Sequence, residues 1–229
     1  MTTRAFTDEE VRLMDAALLE RRHFRDRAFL QVALGTGFRV SEILGLTWSQ
    51  ILTPFGEISD SVTIERAQLK GGAGVRRKAI RSRRVPLNER VRSAIADYLG
   101  SLNAVPVGPV FMSRVGTDRP ITRVQAHRLL KDLSRELGFD CQRLGCHSAR
   151  KHFAQAIWRK SGFNLLQVQR ILGHRSCLVT AAYLDSNRDE LDALVLGLDQ
   201  TPAVPLAMPL VASAGTSDRF GDGFNTGKM

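Results

Sequence analysis

The sequence predicts a mainly α-helical domain of the α+β class that carries one small three-stranded antiparallel β-sheet. Apolar residues recur at helical spacing through most of the chain, and short β-prone segments cluster between residues 51 and 86. A chain of 229 residues, 43% of them hydrophobic, is long and apolar enough to bury a core. From residue 201 the helical period ends, and three prolines and four glycines follow. We therefore divide the chain into a folded domain, residues 1–199, and a flexible tail, residues 200–229.

The first helices are marked by capping and termination signals. Thr7 and Glu10 form a capping-box pattern ahead of an apolar run, which predicts a helix over residues 8–20. A second helix, 24–36, is predicted to end at neighbouring glycines, and a short third helix follows at 41–46.

Three short β-prone segments come next, separated by proline and glycine. They predict antiparallel strands at residues 51–52, 61–65 and 83–86. The last connection is strongly basic, with six Lys or Arg residues between Arg76 and Arg84. Because these like charges repel one another, a bound polyanion would stabilise the loop.

Helical patterns resume after the sheet and continue to the end of the folded part. Asn88 is placed to cap a helix that ends near residue 100, and a proline-containing loop, 101–121, follows. The remaining helices are predicted at residues 122–137, 147–161, 165–172, 177–184 and 187–196.

The charge balance favours a polyanionic partner. Lys and Arg number 33 against 23 Asp and Glu, a net charge of +10, which points to nucleic acid first and an anionic membrane surface second. We find no run of eighteen apolar residues and no apolar leader, so we expect neither a transmembrane helix nor a signal peptide. Three cysteines are too few for a disulfide scaffold. We therefore expect a cytoplasmic protein with reduced thiols.

Arg39 is the first residue with a candidate functional role. It lies in the segment TGFRVSEIL, between a glycine and the short third helix. Glu42, three residues later, falls on the same helix face and can hold the guanidinium. An arginine is poorly placed for the dipole at a helix N-terminus, but it and the free backbone N–H groups there can bind one anion. A simple surface Arg–Glu pair is the alternative interpretation.

Two histidines, a second arginine and a tyrosine are the other candidates. His147 and Arg150 share one face of a predicted helix and offer an imidazole and a bidentate guanidinium to phosphate oxygens; two exposed basic residues at a helix start are the alternative. His174 follows a helix end, where structural histidines also occur. Tyr183, one of two tyrosines, lies nine residues later in an apolar stretch that also suits a core residue.

In their order and spacing, these motifs resemble those of the tyrosine recombinase (phage integrase) family. The resemblance covers about residues 7–197. It is carried by Arg39 in TGFRVSEILGLTW, the His-Ser-Ala-Arg box at 147–150, Leu-Gly-His ending at His174, and Tyr183. It implies a helical tyrosine-recombinase catalytic domain and a site-specific DNA recombinase. Such an enzyme breaks and rejoins DNA through a covalent 3′-phosphotyrosine intermediate, in integration, excision or inversion.

The family's active site holds two arginines, two histidines, one lysine and one tyrosine. The resemblance therefore implies catalytic roles for Arg39, Lys78, His147, Arg150, His174 and Tyr183, with Tyr183 as the nucleophile and Glu42 in support. The family's lysine precedes a Val-Pro-Leu strand, here at residues 85–87. Lys78 lies eight residues before Pro86 and Lys70 sixteen before it, so Lys78 is preferred and Lys70 stays open.

The implied roles follow from the charge of a phosphodiester. Arg39 and Arg150 would grip its non-bridging oxygens, and His174 would donate a hydrogen bond to one of them. His147 would accept the proton of Tyr183 or act as a further phosphate ligand, and Lys78 would protonate the departing 5′ oxygen.

Double-stranded DNA is the implied partner. Contacts to its backbone are expected from Arg76, Arg77, Arg81, Arg83, Lys151 and Arg175. The resemblance also implies a homotetramer on paired sites, a monomer or dimer in solution, and nucleoid association when bound; an accessory DNA-bending protein is left open. We expect no cofactor and no metal, because Cys141, Cys146 and His147 lack a fourth ligand and regular spacing.

Two alternatives remain open. Only seven residues precede the predicted first helix, so we expect the core-binding domain of most family members to be missing. A catalytically silent or partner-dependent DNA-binding protein of the same fold is one alternative, and a type IB-like topoisomerase is another. An RNA-binding module is disfavoured, because aromatic residues make up only 7% of the chain.

Overall fold

A computed structural model describes residues 3–65, 68, 82–104, 106–113, 119–174, 176–181, 183–184 and 196. All of these except Leu196 belong to one compact unit, Met1–Asp185. The fold is mainly helical with a small antiparallel sheet, as the sequence predicts. In chain order the elements are α1 (Asp8–Glu20), α2 (Phe24–Thr36), α3 (Val40–Leu44), α4 (Trp48–Ile51), β1 (Ser61–Ile64), β2 (Arg83–Pro86), α5 (Glu89–Gly100), α6 (Arg123–Glu136), α7 (Cys146–Lys160), α8 (Leu165–Leu172) and α9 (Cys177–Ala181). None of the helices in the described part of the chain has the length and apolar character needed to cross a membrane.

Local capping explains why several helices begin where the sequence predicts. At α1 the Thr7 hydroxyl accepts from the Glu10 backbone N–H at 3.1 Å, and the Glu10 carboxylate accepts from the Thr7 N–H at 2.9 Å. The side chains of Asn88 and Asn164 accept from the backbone N–H three residues on, which starts α5 and α8.

The sheet differs from the prediction, because β1 and β2 are the two strands in the described residues. They pair antiparallel, with Val62 opposite Val85. The predicted strand at residues 51–52 was wrong. Trp48 and Ile51 are both buried three residues apart, so one helical turn, α4, places both side chains in the core, and Leu52 forms only an isolated bridge with Ile58.

Smaller differences concern helix ends. The third helix spans Val40–Leu44 rather than 41–46, and α9 ends at Ala181 rather than at residue 184. The predicted helix at 187–196 and the tail from residue 200 lie outside the described residues, apart from Leu196.

Helix α2 lies at the centre of the packing. Ten of its thirteen residues are buried, and it packs against α1, α5 and α7. Its Arg27 forms ion pairs with Asp15 of α1 at 2.7 Å and Asp97 of α5 at 2.6 Å, so the three helices are joined by charge as well as by apolar contact. A second apolar cluster under α7 and α8 contains Phe153 and Leu172.

The end of α2 brings the backbone to the edge of that second cluster. Gly37 ends the helix with φ at 60°, the left-handed region that glycine adopts without strain. A Cβ at this position would collide with the ring of Phe153 on α7. The glycine is thus required both by its backbone angle and by the close approach of α7.

We predict that Gly37→Ala lowers the free energy of unfolding by about 1–3 kcal/mol, because it combines backbone strain with overpacking. Gly100→Ala is the matched control: Gly100 ends α5, its φ is not positive, and no atom lies within 4 Å of a Cβ built there. We expect the control to be neutral or to stabilise the protein by up to about 1 kcal/mol. Urea unfolding followed by circular dichroism tests this, and equal stability of the two variants would contradict it.

Candidate active site

The fold brings five of the six predicted catalytic residues to one region. They come from the start of α3, from α7, from the end of α8 and from the turn after α9: Arg39, His147, Arg150, His174 and Tyr183. The sixth, Lys78, lies outside the described residues, as do Lys70 and four predicted DNA contacts, Arg76, Arg77, Arg81 and Arg175.

The carboxylate of Glu42 stands at the centre of the site. Its side chain is 1% exposed. One oxygen, Oε1, accepts from Arg39 Nη1 at 2.8 Å, and Oε2 accepts from Arg83 Nη2 at 2.8 Å and from the Arg39 backbone N–H at 2.8 Å. Glu42 occupies the third position of α3, so its carboxylate reaches back to the residue that precedes the helix and holds Arg39 there.

Arg83, which the sequence analysis assigned to DNA backbone contact, lies within this site. Its guanidinium donates to Glu42 and, through Nη1, to the carbonyl of Leu172 at 2.5 Å, and it lies 4.8 Å from the centre of the Phe38 ring. Burial lowers the pKa of Arg83, an effect that the Glu42 carboxylate opposes and the Arg39 cation reinforces.

Arg150 is buried, with 1% of the residue exposed. On α7 its guanidinium donates through Nη1 to the Gly37 carbonyl and through Nη2 to the Leu172 carbonyl at 2.9 Å. Nη2 also lies 2.9 Å from His174 Nε2. Burial, with the Arg39 cation next, lowers the pKa of Arg150 to about 10, so the group remains charged at neutral pH.

The C-terminal end of α8 therefore binds both Arg83 and Arg150. The Leu172 carbonyl accepts from Arg83 and from Arg150. Carbonyls at a helix C-terminus carry partial negative charge and have no partner within the helix, so they stabilise cations. Gly173 then ends the helix in the left-handed conformation, with φ at 65°, and turns the chain so that His174 follows directly.

His174 is held from both ring nitrogens. A guanidinium has only donors, so Nε2 accepts from Arg150, and Nδ1 must carry the hydrogen that it donates to Thr180 Oγ1 at 3.0 Å. Burial and the cations of Arg150, Arg39 and Arg83 lower the pKa of His174 to about 4. The ring is therefore neutral at pH 7.

Tyr183 follows α9 and closes one side of the site. Its backbone N–H donates to the Thr180 carbonyl at 2.9 Å. The ring centre lies 5.1 Å from that of His174, and Arg150 Cζ lies 5.6 Å from the tyrosine ring centre. The residue is half-buried against the second apolar cluster.

His147 and Lys151 bring further basic groups from α7. His147 is exposed and Lys151 is half-buried. Partial loss of hydration and the neighbouring Arg150, Arg39 and Lys151 cations lower the pKa of His147 from its ordinary value. The shift favours the neutral imidazole, which can accept a proton.

The site has more positive than negative charge. Three arginines face one carboxylate, and the buried Nε groups of Arg83 and Arg150 have no hydrogen-bond partner. Across the described residues, no group of three or more His, Cys, Asp or Glu side chains comes together to hold a metal ion. An oxyanion such as a phosphodiester fits this arrangement, because it adds negative charge and acceptors where both are lacking.

The sequence argument missed Thr180, the carbonyls of Gly37 and Leu172, and the place of Arg83. For Arg83 a signal exists: side chains alternate along a strand, so Arg83 shares the inward face with the buried Val85 while Arg84 points outward. Thr180 lies three residues before Tyr183, within the helix that the sequence predicts at 177–184, and this spacing places it near Tyr183. The two carbonyls leave no mark on the sequence.

Comparison with known proteins gives a family match over most of the chain. The model of the phage integrase family matches residues 4–190. A tyrosine recombinase XerC from Xylella fastidiosa is 30% identical over 159 residues, which cover 69% of this chain and 48% of the relative. A tyrosine recombinase XerD from Halalkalibacterium halodurans is 29% identical over 187 residues, which cover 79% of this chain and 56% of the relative. The chain thus spans about half the length of the curated relatives it matches.

The chain also resembles solved structures of recombinases. The crystal structure of XerA recombinase has a TM-score of 0.66 at 21% identity, over 89% of this chain and 66% of its own. XerH site-specific recombinase in a post-cleavage complex with its palindromic difH substrate has a TM-score of 0.63 at 18% identity, over 88% of this chain and 54% of its own. At these identities the likeness shows a shared fold.

The pKa of His174 makes stability depend on pH. The folded ring has a pKa of about 4 and the unfolded ring one of about 6.5. Between these values the unfolded chain binds more protons, so stability is full above pH 6.5 and falls as the pH drops towards 4, by up to roughly 3 kcal/mol.

We predict that His174→Gln removes this part of the pH dependence in urea unfolding between pH 7 and 4. His23→Gln, at an exposed histidine outside the site, should retain the wild-type dependence. An imidazole NMR titration of His174 near 6.5 would contradict the prediction.

Proposed function

This chain belongs to the phage integrase family, and we propose that it acts as a tyrosine-type site-specific DNA recombinase. The observation that carries the proposal is the convergence of Tyr183 with three arginines and two histidines around a site with surplus positive charge. The similarity to XerC, XerD and XerH recombinases supports the same activity. The reaction is integration, excision or inversion of a DNA element, by exchange of strands between two sites.

The cations suit phosphoryl transfer because a phosphodiester repels an approaching nucleophile. Negative charge grows on the non-bridging oxygens as the fifth bond to phosphorus forms, so fixed cations stabilise the transition state more than the ground state. In this proposal Arg39 and Arg150 bind those oxygens, and His174 donates a hydrogen bond to one of them. Glu42 holds Arg39 and Arg83 in place.

The proposed nucleophile is the phenolic oxygen of Tyr183. It forms a bond to phosphorus while the bond from phosphorus to the 5′ oxygen breaks, which leaves a 3′-phosphotyrosine and a free 5′ hydroxyl. The phenol, with a free pKa of about 10, gives its proton to His147; alternatively His147 is a further phosphate ligand. Lys78 gives a proton to the departing 5′ oxygen, whose alkoxide would otherwise leave poorly.

The proposed reaction uses no cofactor. Because the phosphotyrosine conserves a phosphodiester bond, the 5′ hydroxyl of a second strand can attack it and reseal the DNA without ATP. The cations come from side chains rather than from bound metal ions, and the trapping experiment below is therefore run with a chelator present.

The proposed partner is double-stranded DNA. In this proposal the chain is a monomer or dimer in solution and assembles into a homotetramer on two paired sites. Arg76, Arg77, Arg81, Lys151 and Arg175 would contact the DNA backbone, and each such contact adds to the salt dependence of binding. We place the catalytic domain at residues 1–199 and a flexible tail at 200–229, and we expect association with the nucleoid. An accessory DNA-bending protein belongs to the proposal.

Covalent trapping tests the reaction directly. The protein is mixed in EDTA with labelled nicked duplexes that tile the DNA around its own gene, and adducts are resolved on denaturing gels. We expect an adduct with wild type and none with Tyr183→Phe, which should still retain DNA. Tyr98→Phe is the matched control, since it removes the same hydroxyl from the chain's other tyrosine, which is buried and donates to the Val110 carbonyl. The control should form the adduct.

Each other outcome has a distinct meaning. An adduct with Tyr183→Phe would overturn the choice of nucleophile. DNA retention without any adduct would favour a catalytically silent or partner-dependent DNA-binding protein. Relaxation of supercoiled plasmids of unrelated sequence by a monomer would favour a topoisomerase.

The lysine assignment has its own test. We predict that Lys78→Ala slows adduct formation on normal DNA by about 100-fold or more, because the leaving 5′ oxygen lacks its proton donor. A duplex with sulfur in place of the bridging 5′ oxygen should restore the rate, since a thiolate leaves without protonation. Lys70→Ala is the matched variant. It should form the adduct on normal DNA at the wild-type rate, and the sulfur-containing duplex should bring no rescue. Rescue of Lys70→Ala instead of Lys78→Ala would reverse the assignment.

A further inference from the structure

His174 faces the site in a hydrogen-bonding state opposite to the one that its proposed role requires. Nε2 accepts a hydrogen from Arg150 Nη2 at 2.9 Å, and the only hydrogen on the neutral ring is on Nδ1. To donate to a phosphate oxygen, Nε2 must carry a hydrogen itself. The neutral ring then has no hydrogen on Nδ1. The group that contacts Nδ1 must therefore be able both to accept a hydrogen bond from it and to donate one to it.

Thr180 is the group that contacts Nδ1. It is fully buried on α9, and its Oγ1 lies 3.0 Å from Nδ1 and 3.5 Å from the Ser176 carbonyl. A hydroxyl has one hydrogen and two lone pairs, and it rotates freely. In the free protein it accepts from Nδ1–H and directs its own hydrogen towards Ser176. After rotation it can donate to a bare Nδ1.

We propose that Thr180 is a positioning residue that switches His174 between two tautomers. In the empty site its hydroxyl accepts from Nδ1–H and keeps Nε2 as an acceptor for Arg150. When an oxyanion occupies the site, the hydroxyl reverses and donates to Nδ1, and Nε2–H donates to the anion. This inference rests on the proposed recombinase function and adds a residue that touches neither DNA nor phosphate.

The change of state conserves protons and hydrogen bonds. One N–H bond forms at Nε2 and one breaks at Nδ1, with water carrying the proton, so the ring is neutral before and after the change. Arg150 gives up His174 as an acceptor and takes an anion oxygen instead, a stronger charge-assisted bond. The anion also offsets the surplus positive charge of Arg39, Arg83 and Arg150 around the ring, so its binding favours the donor state of His174.

The position suits such a device because, among the described residues, Thr180 is the hydrogen-bond partner of Nδ1. Thr180 and His174 are both buried, so replacing the hydroxyl by a methyl group would remove that partner. The Gln169 side chain, another polar group at this turn, donates to the backbone carbonyl of His174 at 3.1 Å and accepts from Cys177 Sγ at 2.9 Å. It fixes the main chain and leaves the ring nitrogens to Thr180 and Arg150.

The spectroscopic test uses the full chain with ¹⁵N-labelled histidine. Two-bond ¹H–¹⁵N correlation spectra distinguish the two neutral tautomers of His174. The probe is sodium sulfate, compared with sodium chloride at equal ionic strength. We expect wild type to hold the Nδ1–H tautomer in chloride and the Nε2–H tautomer in saturating sulfate. Thr180→Ser, which keeps the hydroxyl, should behave as wild type, and the isosteric Thr180→Val should not make the switch.

The kinetic test is the rate of adduct formation on the nicked duplex. Thr180→Ser should retain the wild-type rate within about threefold, and Thr180→Val should lose about 5-fold to 150-fold, as expected for a buried group left without its hydrogen bond. Thermal unfolding of both variants shows whether α9 is retained. Serine keeps the hydroxyl and lacks the methyl group, whereas valine keeps the shape and lacks the hydroxyl. A loss of rate caused by packing alone would therefore appear in Thr180→Ser and not in Thr180→Val.

The two proposals fail in different ways. Adduct formation at the same rate by Thr180→Val and Thr180→Ser, or an Nε2–H tautomer in chloride, would overturn the switch and leave the recombinase function standing. A His174 tautomer that sulfate does not change would also overturn the switch. A tautomer change in sulfate without any covalent adduct from wild type would support the switch and remove the recombinase function.

Discussion

The buried carboxylate of Glu42 is the constraint on which the rest of the site depends. It joins Arg39 before α3 to Arg83 on β2, and through Arg83 it reaches the end of α8. Its removal would leave Arg39 and Arg83 without their shared carboxylate, although Arg83 would keep the Leu172 carbonyl. Loss of one partner of a buried ion pair costs up to about 3–5 kcal/mol. Folding and assembly of the site are thus one event, because the ion pairs that order the cations also join the helical layers to the sheet.

The end of α8 carries out several tasks at once. Its last carbonyl, at Leu172, holds Arg83 and Arg150, and Gly173 turns the chain so that His174 meets Arg150 from the other side. The arrangement costs stability, since burial and mutual repulsion lower the pKa values of both arginines and of the histidine. A site held in this state gains most from the ligand that supplies negative charge, so the destabilisation itself favours binding of an oxyanion.

Local signals account for what the sequence predicts well. The bounds of α1, α5 and α8 follow from capping side chains within three residues of each helix start. The strand expected at residues 51–52 failed because Trp48 and Ile51 both bury their side chains, and a helical turn achieves this where a strand would place the two on opposite faces. Short apolar segments fit either structure, and packing against the core decides between them.

The sequence by itself determined the fold class, most helix bounds and the types of group at the site, because capping, periodicity and motif spacing are local properties. Only the tertiary structure decided that Arg83 lies within the site, that Gly37 and Leu172 supply carbonyls to Arg150, and that Thr180 contacts Nδ1 of His174. The long-range contacts among these join residues 113 and 22 positions apart on Arg150 and 41 positions apart on Arg83. Hydrogen bonds over such separations form between backbone and side-chain atoms that packing brings together. Strand alternation marks Arg83 as inward-facing, but no local pattern of residue types identifies its partners.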